Sequence, residues 1–476
     1  MKRTILALAI IFISSHAVRV QSQAARPGEP DWKQAGDEAV RLLADYLRVD
    51  TTNPPGNEMR AARFFAEFLE KAGIEYKIFE SAPGRGNLYA RIKGNGRKRP
   101  VILLNHTDVV PADRQFWSVD IFSGVIRDGY LYGRGALDMK SLGAAQFMTL
   151  LLLKRMGVAL DRDVIFLATA DEEAGGRDGA GWFARHHPEL IRDAEFLINE
   201  GSSNVVIGDR VIYYGIGTTE KTPCWLKLTA KGTPGHGSIP RRNSAPSRLL
   251  RALGKLEAYE TEVKVTPAVA RHFQAVADLQ SSPDLRRAYT DIAAAMQDPK
   301  LRSLVLSVPQ NIAILCNTIQ PTVVNIGSKT NVIAPIATAE VDCRLLPGER
   351  PEDFIAEIKR VINDPSIEIE TLLAFGATES PLDTDLFRSI QSVIRAEDPA
   401  ARFVPTVLAG FTDSHFFRDL GIVCYGFSPF RIPANDFAGV HGNDERIPVE
   451  SFREGTKLLY RIVHNLCAAP PSTEAK

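Results

Sequence analysis

Three short, wholly apolar runs stop abruptly at clusters of acid and histidine, and this pattern constrains the chain more than any other. Val101-Ile102-Leu103-Leu104 meets Asn105-His106-Thr107-Asp108, Val164-Ile165-Phe166-Leu167-Ala168 leads to Asp171-Glu172-Glu173, and Phe196-Leu197-Ile198 meets Asn199-Glu200. A short uninterrupted apolar run suits a strand buried on both faces, as in a parallel sheet covered by helices. Helical stretches accompany the runs: Trp32 to Leu47 and Glu58 to Ala72 before the first, Met139 to Met156 between the first and second. The alternation predicts an α/β domain with a mostly parallel sheet and helices on both faces. Ligands of such sheets gather beyond the carboxyl ends of the strands. His106, Asp108, Glu172, Glu173 and Glu200 are therefore expected along one edge.

Past Thr218 the texture changes. Cys224 to Lys231, Val323 to Gly327 and Thr338 to Leu345 alternate apolar and polar residues, as strands covered on one face do. Helices are expected at Ser247 to Glu260 and Pro283 to Met296. Residues 218–374 thus form an inserted α+β domain, and 33–217 with 375–468 form the main one. The returning part holds a strand at Gly421 to Phe427, a polar loop at Pro433 to Arg446 and a helix at Val449 to Leu466. The stretch 263–310 suits either an enlarged pocket or an oligomer contact.

Lys2 and Arg3 before the apolar run Ile5 to Ile13, followed by small residues, mark 1–24 as a secretory signal peptide and the protein as periplasmic or secreted. The run is too short to cross a bilayer, which takes about 20 residues, so no stable membrane insertion is expected. Residues 469–476 are expected to be a disordered tail. Lys+Arg and Asp+Glu number 57 each with no concentrated basic run, so nucleic acid is not an expected partner. Five cysteines without a CxxC pair exclude a cysteine-based zinc site. Their pairing stays open, although Cys316 and Cys343 both fall in the insert.

Histidine and carboxylates at strand ends are a ligand set for a borderline divalent ion, zinc first. His106 and Asp108 stand two apart on an extended segment, so Asp108 either ligates or holds the imidazole through its other nitrogen. Asp138 opens the long helix and reads equally as a plain N-cap. Glu172 and Glu173, adjacent after a buried strand, face apart and call for a cation nearby. His236 between two glycines is, on its own, turn chemistry, and Arg344 with Asp342 is, on its own, an exposed sheet face.

Six strings in order, HTDVVP (106–111), GRGALDMKS (133–141), ATADEEAGG (168–176), INEG (198–201), GTPGHGSIP (232–240) and GVHGNDERI (439–447), resemble the signatures of the co-catalytic zinc peptidases. That family includes glutamate carboxypeptidase, acetylornithine deacetylase, succinyl-diaminopimelate desuccinylase, aminoacylase and carnosine dipeptidases; the chain is most similar to its secreted branch acting on N-fatty-acyl amino acids and peptides. The resemblance implies two zinc ions per chain, with cobalt or manganese able to take the same ligands. Asp138 then bridges them, with His106 and Glu200 on one and Glu173 and His441 on the other. It further implies Glu172 as general base and Asp108 as the partner of His106. His236 becomes an oxyanion donor reaching a partner protomer's site, within a homodimer built through the insert as lid and dimerisation domain. Arg344 and Asn331 become the grip on a substrate carboxylate. In the family-like string GFTDSHFF (410–417), His415 stands where relatives more often carry Arg, so it enters as a substrate-binding candidate. The implied activity is hydrolysis of the amide in an N-acyl amino acid or small peptide with a free carboxylate. The alternatives are a carboxypeptidase or dipeptidase and, in a different class, a binding protein without turnover, which has no need of Glu172.

Overall fold

The computed structural model describes residues 29–208 and 210–470; the expected signal peptide lies outside them, as do residues 471–476 of the expected tail. Within that tail Ala469 is still fastened, its N–H donating to the Ala159 carbonyl at 2.8 Å. No helix among the described residues is long and apolar enough to cross a membrane.

The three apolar runs are neighbouring parallel strands: Val164–Thr169, Val101–His106 and Phe196–Asn199 lie side by side, and Val423–Gly426 joins them, also parallel. Antiparallel strands Gly86–Ile92 and Tyr76–Glu80 extend one side, and Arg210–Glu220 with Phe403–Leu408 the other. Side chains of the central strands divide by parity. Val101, Leu103, Val164 and Phe166 enter one core; Ile102, Leu104, Ile165 and Leu167 enter the core on the opposite face. This is why the runs are apolar at every position. The first core is filled by helices Trp32–Leu47, Met59–Ala72, Lys140–Arg155 and Val449–Cys467, and the second by Ala180–His186 and Ser414–Arg418. Lys140–Arg155 is buried along nearly all its length, as expected of a helix apolar around its circumference.

A second, antiparallel sheet has the order Thr318–Asn325, Ile336–Leu345, Thr222–Lys231, Ile367–Ala374. Helices Ala245–Glu257 and Pro351–Ile362 cover one face, where Leu226, Leu228, Ala339 and Val341 meet Leu249, Phe354 and Ile358. Lys221 alone separates Arg210–Glu220 of the large sheet from Thr222–Lys231 of the second.

The helical stretch within the insert packs elsewhere. Pro267–Val276, Pro283–Thr290, Ile292–Ala295, Pro299–Leu306 and Pro309–Leu315 gather Phe273, Ile292 and Leu315 into a third core that takes in Val404 and Val407 of the large sheet's edge strand. The block thus covers an edge that would otherwise be open to pairing. The single helix expected over Pro283 to Met296 is two, divided at Asp291, whose side chain accepts from Ala294 N and caps the second. All five cysteines are buried and unpaired; Cys343 sits in the second sheet's core and Cys316 in the helical block.

Candidate metal centre

The strand ends deliver their polar residues to one point. His106 Nε2 lies 3.0 Å from Asp138 Oδ1 and 3.4 Å from Glu200 Oε1. His441 Nε2 lies 3.1 Å from Asp138 Oδ2 and 3.2 Å from Glu173 Oε2. Two three-residue clusters therefore share Asp138, one oxygen turned to each histidine. Asp138 is not a helix cap: the N-cap of Lys140–Arg155 is Met139, without a side-chain hydrogen bond.

The donor chemistry fits a pair of divalent ions. Each cluster offers one imidazole nitrogen and carboxylate oxygens within 4.8 Å of one another, a set suited to zinc. Glu173 Oε1 is buried without a hydrogen-bond partner. Among the described residues no lysine or arginine pairs with Asp138, Glu173 or Glu200. Protons answer part of this anionic load. Burial pulls the His106 imidazole down, but Glu200, Asp108 and Asp138 outweigh it and hold it well above the usual histidine range. Hydrogen bonds to Asp138 and Glu173 push His441 up to about 10.

Glu172 is buried beside the clusters on a 3-10 turn, Glu172–Ala174. Burial first, then the charges of Glu200, Asp413 and Glu173, hold its carboxyl well above the usual range, against a lowering by His106. Asp108 builds this turn. Its carbonyl lies 3.0 Å from His106 Nδ1, while its carboxylate accepts from Glu172 N and Glu173 N, both at 3.1 Å. One residue therefore orients a histidine and aims two adjacent glutamates apart.

Behind Asp108 stands a group nothing in the sequence singled out. Asn53 Nδ2 donates to Asp108 Oδ2 at 2.8 Å, and Arg85 donates to Asn53 Oδ1 at 3.0 Å and pairs with Glu58 and Asp171. Asp171 has φ +68, a left-handed conformation uncommon outside glycine, so these bonds hold a turn that is strained on its own. The one available signal was the turn-forming run Thr51-Thr52-Asn53-Pro54-Pro55-Gly56 between two helices.

The clusters open into a cavity of about 700 Å³. Its walls are largely apolar, with Leu142, Trp225, Leu408, Phe411, Phe430 and Val440 among them, and they come from both sheets' segments. Arg344 lines it too. Asp342 engages its Nε at 2.7 Å and Nη2 at 2.9 Å, and its guanidinium lies 5.5 Å from the Trp225 ring and 5.1 Å from that of Phe411. Asp342 makes no hydrogen bond to Nη1. Asp342 also accepts from Trp225 Nε1 at 2.9 Å.

His236, Asn331 and His415 lie off this cavity wall, as do the deeply buried His106 and Asp108. His236 and Asn331 are exposed and sit together, with Gly235–His236 paired to Val332–Ile333 and Gly237 N donating to Asn331 O. His236 Nδ1 lies 2.7 Å from Ser238 Oγ and 3.2 Å from Ser238 N. His415, expected to contact substrate, is buried: the residue is 2% exposed, its ring 3.5 Å from the Phe375 ring and 3.7 Å from that of Phe416, with both nitrogens unpartnered. An uncharged imidazole suits that apolar stack, and burial, followed by Arg418, pushes it down to about 3.

A sequence profile of peptidase family M20/M25/M40 matches residues 102–465. The chain is 28% identical to the N-fatty-acyl-amino acid synthase/hydrolase PM20D1 of Xenopus tropicalis, across 90% of this chain and 86% of that protein. It is 26% identical to aminoacylase-1B of Rattus norvegicus, across 91% and 96%. Its fold is similar to that of human carnosine dipeptidase 1, at a TM-score of 0.69 and 16% identity over 91% of this chain and 97% of that one.

Proposed function

We propose, from the premise that this chain belongs to peptidase family M20/M25/M40, that it is an exported dizinc amidohydrolase acting on N-acyl amino acids that carry a free carboxylate. The observation that carries the substrate class is the cavity: five metal-ligand candidates meet Glu172 beside it, Arg344 stands on its wall, and the remaining lining is largely apolar. An acyl chain fits that lining, and a guanidinium beside it suits a carboxylate. Hydrolase activity on N-fatty-acyl amino acids in a relative supports the same reading. Export rests on the leader at Lys2 to Ile13.

His106, Asp138 and Glu200 would hold one ion and Asp138, Glu173 and His441 the other. The ions, when bound, lower the pKa of an attacking water and polarise the scissile carbonyl. Glu172 takes the water's proton and delivers it to the amide nitrogen as the C–N bond breaks. Asp108 keeps Glu172 and Glu173 in their separate directions through its bonds to both backbone amides. Arg344 Nη1 binds the carboxylate, with Asp342 fixing the rest of the guanidinium. His236 and Asn331, exposed and away from their own chain's cavity, serve the site of a second copy in a homodimer. The exposed Val323 and Val324 on the edge strand Thr318–Asn325, with Val332 and Ile336 nearby in sequence, support pairing through the second sheet.

The test is a panel of N-acetyl, N-lauroyl and N-glycyl derivatives of Phe, Leu and Glu, each with a free or amidated carboxylate. Wild type is expected to prefer the N-lauroyl acids and to lose turnover when the carboxylate is amidated. Glu172→Gln is expected to lower kcat by about 10²–10⁴-fold while keeping its zinc. Preference for the N-glycyl compounds would instead make the enzyme a carboxypeptidase or dipeptidase. Failure to turn over any member, with zinc bound, would sink the proposal.

A further inference from the structure

Arg134 and Glu445 belong to two of the strings that surround the ligand candidates, yet neither lies on the cavity wall. Glu445 is 0% exposed. Its Oε2 accepts from Arg134 Nη1 at 2.7 Å and Gly135 N at 2.8 Å, and its Oε1 accepts from Leu137 N at 2.7 Å and Asp138 N at 3.0 Å. Three of these four donors are backbone amides of the turn that presents Asp138. These amides precede the helix Lys140–Arg155, so it is the turn itself, and not the helix end, whose donors Glu445 satisfies from a distance in sequence.

The same pair reaches the other cluster. Arg134 Nη2 donates to the carbonyl of Gly442, next to His441, at 2.8 Å, and Gly133 N donates to the Glu445 carbonyl at 3.0 Å. His441 needs such support: its side chain is 51% exposed, its φ is +56, and it lies outside any helix or strand. A carboxylate serving merely as partner to a buried arginine has no reason to collect three turn amides as well.

We propose that Glu445 is the positioning residue of the shared carboxylate: with Arg134 it joins the 133–138 turn to the 441–445 loop, so that Asp138 and His441 are placed as one unit. This rests on the reading of Asp138 as the carboxylate shared by two zinc ions. Outer residues that fix metal ligands are worth about 10–100-fold in metal affinity. The pair sets the ligand geometry during folding, so that little ordering is left for the ions to impose.

The experiment compares full-length wild type, Glu445→Gln and, as a stability control, Leu459→Ala, which opens a cavity in the core beneath the closing helix. Zinc affinity is measured by competition with a chromophoric chelator, ligand geometry by the visible spectrum of the cobalt-loaded protein, and stability by thermal midpoint. Glu445→Gln is expected to lose about 10–100-fold in zinc affinity and to alter the cobalt bands, while Leu459→Ala loses stability and keeps both. Wild-type zinc affinity and cobalt bands in Glu445→Gln overturn the proposal, whatever its thermal midpoint. Arg134→Lys keeps the charge but loses the planar fork that reaches Glu445 and Gly442 from two separate nitrogens, and is read the same way if Glu445→Gln does not fold. A wild type that takes up fewer than two zinc ions overturns the shared-carboxylate reading, and the inference with it; a positioning role that fails alone shows instead as an unchanged variant-to-wild-type ratio.

Discussion

At the scale of the residue, His415 shows what a string of letters leaves out. Its place in GFTDSHFF pointed to substrate, but Phe375, forty positions earlier, turns the site into an aromatic stack. Position in a motif carries no information about which distant ring lies across it. The stack has a pH signature. The ring takes a proton near pH 3 when folded and near 6.5 when unfolded. Between those values the unfolded chain binds the extra proton, so this contribution is intact above pH 6.5 and is lost as pH falls toward 3. His415→Phe keeps the aromatic contacts and removes the proton. Its stability is expected to fall less steeply on acidification, by up to about 1.4 kcal/mol per pH unit in that window, with kcat/KM unchanged at pH 7. Denaturant melts from pH 7 to pH 4 check this, and a large loss of turnover would return His415 to the substrate. The ligand candidates were more legible, because a carboxylate or imidazole just past a buried strand has few other uses. Asp138 was not settled that way, since a helix start explains an Asp equally well until two histidines are seen on its two oxygens.

At the scale of the element, the strands were readable and their neighbours less so. Residues 101–104 and 164–168 are apolar throughout because both faces are covered, a property local enough to show in sequence. The destination of the helices between Pro267 and Leu315 was not, for an apolar stripe says that a helix packs but not against which sheet; the receiving residues, Val404 and Val407, come about a hundred positions later. Close approach of strands is equally hidden. A Cβ at Gly426 would lie 2.6 Å from the Glu200 carbonyl and 2.9 Å from the Gly201 carbonyl carbon. Gly426→Ala must therefore push the Glu200 backbone away from its cluster without touching a ligand side chain. The variant is expected to stay folded at a cost of about 1–3 kcal/mol and to retain less than the wild-type zinc after dialysis. Metal content by mass spectrometry decides it, and a full complement of zinc would show that the strand yields instead.

At the scale of the whole molecule, His236 lies off the cavity wall of its own chain, and the proposed homodimer, which would supply it in trans, has an arithmetic consequence. Glu172→Gln and His236→Ala are each expected to be nearly inactive. Unfolded together and refolded at equal amounts, they form mixed dimers in which one site has both an intact Glu172 and a partner's intact His236. Turnover of about a quarter of the wild-type value is expected if subunits pair at random, and no recovery would place His236 outside the chemistry or within its own chain.

The order of strands in the large sheet also says when this protein can exist. Val423–Gly426 is not an edge strand added last; it sits between Phe196–Asn199 and Arg210–Glu220, and the residues that follow it bring His441, Glu445 and the closing helix. Until the last tenth of the chain has emerged from the ribosome, the sheet has a vacant lane in its middle and the long helix Lys140–Arg155 lacks a main packing partner. Folding must then wait for synthesis to finish, as in any topology whose closing contacts span most of the chain. A chain of this kind becomes a hydrolase only once its far end arrives.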